Sequence, residues 1–215
     1  MSAQSWWRRL LYPAYCPGCG GPVDGAGKWC ADCYGSVWHP RLIRGSRKGY
    51  VDGCYALGDY RGALREVLIA VKFHGDLRQA SALTQLVEAF PWPERWRAVS
   101  VVLGVPISAA RRRERGFDQT EEIYRDFFIR RGIGWRDGLV KVRHTVPQST
   151  LPRAERERNI KNSFAYEGVS FHAGDTVLLV DDIYTTGSTM REAARVLHRA
   201  GAGRIVGLVI ASGAD

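Results

Sequence analysis

The sequence predicts an α/β fold, a parallel sheet flanked by helices and preceded by a small cysteine-rich module. Three observations carry that expectation. Apolar strand-like runs alternate with helical stripes from residue 54 to residue 211. The last unit, strand–helix–strand over 176–211, calls for a parallel pair joined by a right-handed crossover. Four of the five cysteines form two C-x-x-C pairs, Cys16/Cys19 and Cys30/Cys33.

A length of 215 residues allows one full domain and a small appendage. The expected division is residues 1–50 for an N-terminal helix and the cysteine module, and 51–215 for the α/β body. With 45% hydrophobic and 25% charged residues, the composition excludes wholesale disorder, collagen-like sequence and coiled coil. No stretch approaches the roughly 18 apolar residues of a membrane span. The first residues, MSAQSWWRRLLYPAYC, do not read as a signal peptide, because Arg8 and Arg9 interrupt the apolar part. A cytoplasmic protein is expected.

The elements follow in order. Trp6, Trp7, Leu10 and Leu11 have helical spacing and would cover the cysteine module. CYALGDY (54–60) reads as a strand. Leu64, Val67, Leu68 and Val71 form a helical stripe within 63–73, and 81–90 repeats the signal before Pro91 and Pro93. VSVVLGV (99–105) is a buried strand, and 119–131 a helix closed by Gly132. SFAYEGVSF (163–171) reads as a hairpin with Gly168 in its turn. DTVLLVDD (175–182) is a strand, 188–200 a helix ended by Gly201, and 204–211 a strand.

The paired knuckles CPGC and CADC, ten residues apart, have the spacing of a tetrahedral zinc site. The GGPVDGAGKW segment between them has too little apolar mass to fold without a staple. Four thiolates from Cys16, Cys19, Cys30 and Cys33 would leave no open position, so the Zn2+ is structural. A pair of disulfides is the competing reading, disfavoured without a secretory signal; a redox C-x-x-C does not need two copies. Cys54 reads as a buried apolar thiol and His39 as structural.

Net charge is +9, unevenly spread. Residues 91–160 hold 15 basic and 9 acidic residues, and 161–215 hold 5 and 6. A positive middle suggests a polyanionic partner, nucleic acid or a phosphorylated small molecule, against the plainer alternative of an arginine-rich solvated surface.

The segment Val177-Leu-Leu-Val-Asp181-Asp182-Ile-Tyr-Thr185-Thr186-Gly187-Ser188-Thr189 is the most informative. An apolar strand ends in two carboxylates, a hydroxyl-and-glycine turn follows, and a helix starts within it. Ligands of open α/β sheets sit at such strand ends. The turn can aim backbone N–H groups at a phosphate beside a helix N-terminus. Asp181 and Asp182 suit vicinal hydroxyls, or Mg2+ held between ligand oxygens. An ordinary helix cap would explain the hydroxyls but not two adjacent carboxylates.

VLLVDDIYTTGST resembles the 5-phosphoribosyl-1-diphosphate (PRPP) signature of type I phosphoribosyltransferases. With CPGC…CADC, VKFHGD, VPISAARRRERGFDQT and RHTVPQSTLPRAERERN in this order, the chain resembles the ComF/GntX family over nearly its whole length. Asp118, Tyr184 and Ser188 depart slightly from the family pattern. The resemblance implies a type I phosphoribosyltransferase-like domain with a flexible hood or lid and an N-terminal zinc module. It implies PRPP, or a related phosphorylated ribose, bound with Mg2+. Asp181 and Asp182 would hold the ribose as the catalytic pair. Thr185, Thr186, Gly187, Ser188 and Thr189 would hold the 5-phosphate. Ser108, Arg111, Arg115 and Lys72 would face the diphosphate, and Arg143, Gln148, Arg156 and Asn159 would belong to the hood. It also implies a role in DNA uptake and natural transformation. The competing reading is a non-catalytic module that engages single-stranded DNA or a DNA-processing partner, with Trp6, Trp7, Trp29 and Trp38 as stacking candidates.

Overall fold

The computed structural model describes residues 13–43, 49–92, 98–143, 152–172 and 174–213. The expected N-terminal helix with Trp6 and Trp7, and the hood residue Gln148, lie outside them.

The body is a six-stranded sheet in the order β3-β4-β10-β9-β5-β6. Its strands are Arg41–Ile43 (β3), Gly53–Asp59 (β4), Val99–Gly104 (β5), Gly134–Trp135 (β6), Thr176–Tyr184 (β9) and Arg204–Ser212 (β10). All neighbours are parallel except β3, which runs antiparallel to β4. β9 is central, and Val177, Leu178, Leu179 and Val180 are fully buried, as a strand covered on both faces requires.

One face of the sheet carries helices Gly62–His74 (α2), Ala80–Ala89 (α3) and Gln119–Arg130 (α5). The expected stripe of Leu64, Val67, Leu68 and Val71 is the buried face of α2, and α3 adds Leu83, Leu86 and Val87. The other face is covered by Ser188–Arg199 (α7), through Met190, Ala193, Ala194 and Leu197.

The expected hairpin within 163–171 does not form. Phe164–Tyr166 (β8) instead pairs antiparallel with the upstream segment Leu139–Lys141 (β7), with Leu139 opposite Tyr166 and Lys141 opposite Phe164. Gly168 packs against Gly138 instead of turning a hairpin, and the Tyr166 ring stacks on Phe171. The helix Arg153–Ile160 (α6) leads into β8.

The cysteine segment begins with a two-stranded ribbon, Ala14–Tyr15 (β1) and Pro22–Val23 (β2), and ends in the short helix Ala31–Val37 (α1). It rests on the body at three places. Trp29 is buried and its indole N–H donates to the Ala82 carbonyl at 2.9 Å. A Cβ at Gly58 of β4 would collide with the Val37 carbonyl, so only glycine allows α1 to approach the sheet this closely. Gly18, in the first knuckle, lies against Ala63 in the first turn of α2. Trp38 stacks on Tyr34; Trp29 and Trp38 are thus engaged in packing. The next strand, β3, belongs to the main sheet although it falls within residues 1–50.

Among the described residues, no helix is long and apolar enough to cross a membrane.

Candidate phosphoribosyl site and cysteine cluster

Asp181 and Asp182 lie in the last turns of pleat of β9, both buried. The Asp182 N–H donates to Asp181 Oδ1 at 2.8 Å, and the Tyr124 hydroxyl donates to the Asp181 carbonyl at 3.1 Å. Alternation along a strand sends successive side chains to opposite faces, and the two carboxylates have different partners. Lys72 Nζ lies 2.7 Å from Asp182 Oδ2. Burial alone would raise the Asp182 carboxyl, but the ammonium outweighs it and holds the group below the usual range. Lys72 also draws on Asp181, but among the described residues no cation is paired with it. Burial, then the charge of Asp182, push its carboxyl well above the usual range.

Lys72 was expected as an anion contact; in the structure its ammonium is engaged by Asp182. Burial pulls its affinity for the proton down, and Asp182 more than restores it. Gln119 joins the same carboxylate, donating from Nε2 at 3.3 Å, and accepts from Arg115 Nη1 at 3.0 Å. A continuous polar chain therefore runs from Arg115 through Gln119 to Asp182 and Lys72.

The turn after β9 places Gly187 at φ +70°, a left-handed conformation that favours glycine, and a Cβ there would collide with the Tyr184 hydroxyl. Ser188 Oγ and Thr186 Oγ1 are 3.0 Å apart, and Arg191 donates to the Thr186 carbonyl at 3.2 Å. Thr185, Thr186 and Thr189 remain partly exposed around the start of α7.

Across the strand ends, β5 leads into Ser108, whose Oγ accepts from the Arg111 N–H and caps Ala109–Arg115 (α4). Asp118 is 3% exposed, and its two oxygens accept from the N–H groups of Ile107 at 3.1 Å and Thr120 at 2.9 Å. This departure from the resembled pattern ties the loop after β5 to the cap of α5 rather than facing a ligand. Burial raises its carboxyl despite those two donors. Arg112 is held in a bidentate pair by Glu121, with both contacts at 2.7 Å, whereas Arg115 lies within the field of Asp182 and of Arg111.

In the expected hood, Arg143 donates to the carbonyls of Asn159 at 2.6 Å and Lys161 at 2.9 Å, so it holds the end of α6. Arg156 and Asn159 are half-buried on α6. Lys141, on β7, was missed by sequence reasoning. Burial and then Arg111 lower its ammonium to about 8, with Asp181 acting the other way. It lines a cavity of about 410 Å³ with Pro106, Ile107, Trp135 and Arg136. Gln119 was also missed, although it stands in the quoted RGFDQT motif.

The four sulfurs of Cys16, Cys19, Cys30 and Cys33 all lie within 4.8 Å of one another, and none of the five cysteines is in a disulfide. Cys19 Sγ and Cys30 Sγ are 3.7 Å apart. A tetrahedron with metal–sulfur bonds of about 2.3 Å has edges of about 3.8 Å, so the cluster fits such an ion. Backbone N–H groups of Cys30 and Gly21 point at Cys16 Sγ (3.3 Å) and Cys19 Sγ (3.4 Å). Burial opposes ionisation of Cys16, but such donors outweigh it and bring the thiol down to about 6. A Cβ at Gly18 would crowd Cys33 Sγ at 2.9 Å. Cys54 is separate and buried, and burial raises its thiol.

Comparison with known proteins fits this geometry. A model of the phosphoribosyl transferase domain matches residues 138–213. The DNA utilization protein YhgH of Salmonella typhi is 29% identical over 203 residues, spanning 88% of this chain and 80% of that protein. Competence protein ComFC of Bacillus subtilis strain 168 is 29% identical, over 86% and 72%. Competence protein F of Haemophilus influenzae is 26% identical, over 87% and 80%. With the loop after β9 inside the matched domain and the cysteine cluster ahead of it, the chain joins a phosphoribosyltransferase domain to an N-terminal four-cysteine cluster and is similar over most of its length to these DNA utilization and competence proteins.

Proposed function

We propose that the chain binds Mg-PRPP and transfers its 5-phosphoribosyl group to a nitrogen acceptor, in the service of DNA uptake or use. The observation that carries this reading is the buried Asp181–Asp182 pair at the end of β9, followed by the Thr185–Thr189 turn at the start of α7. Residues 51–215 would form the transferase body and 1–50 the module carrying structural Zn2+ on its four cysteines.

In this reading the turn holds the 5-phosphate with backbone N–H groups and hydroxyls. Asp181 and Asp182 accept from the ribose hydroxyls. Ser108, Arg111 and Arg115 receive the diphosphate, which arrives with Mg2+. As the C1–oxygen bond to diphosphate breaks and a bond to the acceptor nitrogen forms, positive charge develops on the ribose. The two carboxylates stabilise that charge, and the arginines stabilise the departing diphosphate. The cavity beside Trp135 and Lys141 has room for the acceptor, and the hood with Arg143, Gln148, Arg156 and Asn159 would exclude water.

Titration calorimetry with Mg-PRPP tests the reading. The wild type should bind, and Asp181→Asn should weaken binding by tenfold or more, the worth of one charge-assisted hydrogen bond. Absence of binding by the wild type would remove the proposal. The pH dependence has a definite sign. Lys141, beside Arg111 at the edge of the site, loses its charge above about 8, so affinity for the anion should weaken as pH rises through that value. Lys141→Arg should keep it flat through the same interval.

A second reading is favoured by the names of the relatives, a DNA utilization protein and competence proteins. Here PRPP is a regulatory ligand, and the chain engages single-stranded DNA or a DNA-processing partner. Release of diphosphate with a panel of bases separates the two.

A further inference from the structure

The C-terminal residues 161–215 are slightly acidic in sum, with five basic and six acidic side chains. Folding segregates them. Arg191, Arg195 and Arg199 recur every four residues on α7 and therefore share one face. Like charges at this spacing repel, so the ladder is unfavourable for the helix by itself. Opposite it stand Arg158 of α6 and Lys161 just beyond. Together with Tyr50 and Glu192 they line a cleft of about 590 Å³. Five basic side chains thus face a single carboxylate among the cleft's described lining.

That carboxylate organises the wall. Glu192 accepts from the Asn162 N–H at 2.7 Å and pairs with Arg195, whose Nη2 also donates to Asn162 Oδ1 at 3.2 Å. Asn162 is held at φ +55°, the only non-glycine residue with positive φ among the described residues. The turn that presents Lys161 is therefore fixed before any ligand arrives. Glu192 neutralises about one of the five cations. The cleft lies on the α7 side of the sheet, away from α2, α3 and α5, and meets the phosphoribosyl turn only at Ser188 and Arg191.

We propose that this cleft is a second phosphate site, outside the phosphoribosyl turn, that takes successive phosphates of a single nucleic-acid strand. Arginine forks match phosphate oxygens. A cationic track with an aromatic ring at its edge, here Tyr50, suits a strand whose bases are free to stack. The proposal rests on the second reading above, to which it gives a binding site, and does not depend on PRPP binding or on catalysis.

The test uses the full chain and a triple variant, Arg158→Gln, Lys161→Gln and Arg199→Gln. All three side chains are exposed, so melting temperature should be unchanged. Binding of a fluorescent single-stranded oligodeoxynucleotide is followed across a salt series. The wild type should bind with a steep salt dependence. The triple variant should bind at least tenfold more weakly at low salt, with a log–log slope shallower by about 2, since each lost phosphate contact removes about 0.7. A control, Arg65→Gln, Arg78→Gln and Arg130→Gln, neutralises exposed arginines on the opposite face and should bind like the wild type. Mg-PRPP affinity should be the same in all three proteins. Four results would overturn the proposal: no strand binding by the wild type, equal losses in the control, tighter binding of duplex than of single strand, or loss of Mg-PRPP binding in the triple variant. Competition by inorganic pyrophosphate as strong as that by the oligonucleotide would also overturn it, by reducing the cleft to a small-anion site.

Discussion

Asp182→Asn is expected to destabilise the protein by about 2–3 kcal/mol, measured by chemical denaturation at neutral pH. Breaking a buried ion pair from one side typically costs 3–5 kcal/mol, because the remaining charge is stranded. Lys72 keeps 25% of its side chain in solvent, against 6% for Asp182, which moderates the loss. The double variant Lys72→Met/Asp182→Asn should recover most of it, and a cycle over the pair should show coupling above 1 kcal/mol. Asp181→Asn should act in the opposite direction. Burial and the neighbouring charge favour the protonated form of Asp181, so its ionisation weakens the fold as pH rises through the ordinary carboxylate range. The amide removes that cost, and stability at pH 7 should rise. For Asp182 the sign is reversed. Its lowered carboxyl contributes stability that is present above the ordinary carboxylate pKa and is lost as acid protonates it. A pair whose members respond oppositely to the same substitution marks a position kept for ligand binding rather than for the fold. If both variants were equally destabilised, the view that the Lys72 charge favours Asp182 over Asp181 would be wrong.

The second large effect belongs to the cysteine cluster. Cys30→Ser should reduce bound zinc from about one ion per chain to near zero, measured by metal analysis of the purified protein. Structural zinc supplies on the order of 10 kcal/mol to small modules that it organises, and the segment between the knuckles has no apolar core to replace it. Residues 13–40 should then become cleavable under limited proteolysis, and the indole of Trp29 should leave Ala82. The sheet and its helices have their own buried core and should retain a cooperative melt. Retention of a full equivalent of zinc by the variant would show that the four thiolates do not act together.

Much of this architecture is legible in the primary structure because the signals are local. A run such as Val177–Val180 can be satisfied only by burial on both faces, and the stripe of α2 fixes which side meets the sheet. The carboxylates, the glycine turn and the knuckles are likewise contiguous. What escapes local reading is pairing across distance. The segment 164–166 has a strand's composition, but nothing in it names Leu139–Lys141 as its partner. The partner of Lys72 lies 110 residues away on another element. Gln119 and Lys141 acquire their significance only when α5 and β7 converge on the end of β9. Asp118 illustrates the converse. Its charge suggests an effect on a ligand, yet burial directs both its oxygens to backbone donors. Segment-by-segment charge fails for α6 and α7 for the same reason, since a sum along the chain is blind to which side of a helix each charge occupies.

Helix α2 has the first knuckle resting on Ala63 near one end and Lys72 near the other, about 14 Å apart along the axis at 1.5 Å per residue. It is a rigid rod with the cysteine cluster at its foot and, through Lys72, the buried Asp182 carboxylate at its head. A tilt imposed at either end is felt at the other, and any such coupling is reciprocal. On the function proposed above, metal occupancy and grip on the ribose would thereby be mechanically geared, although the two sites share no ligand atom.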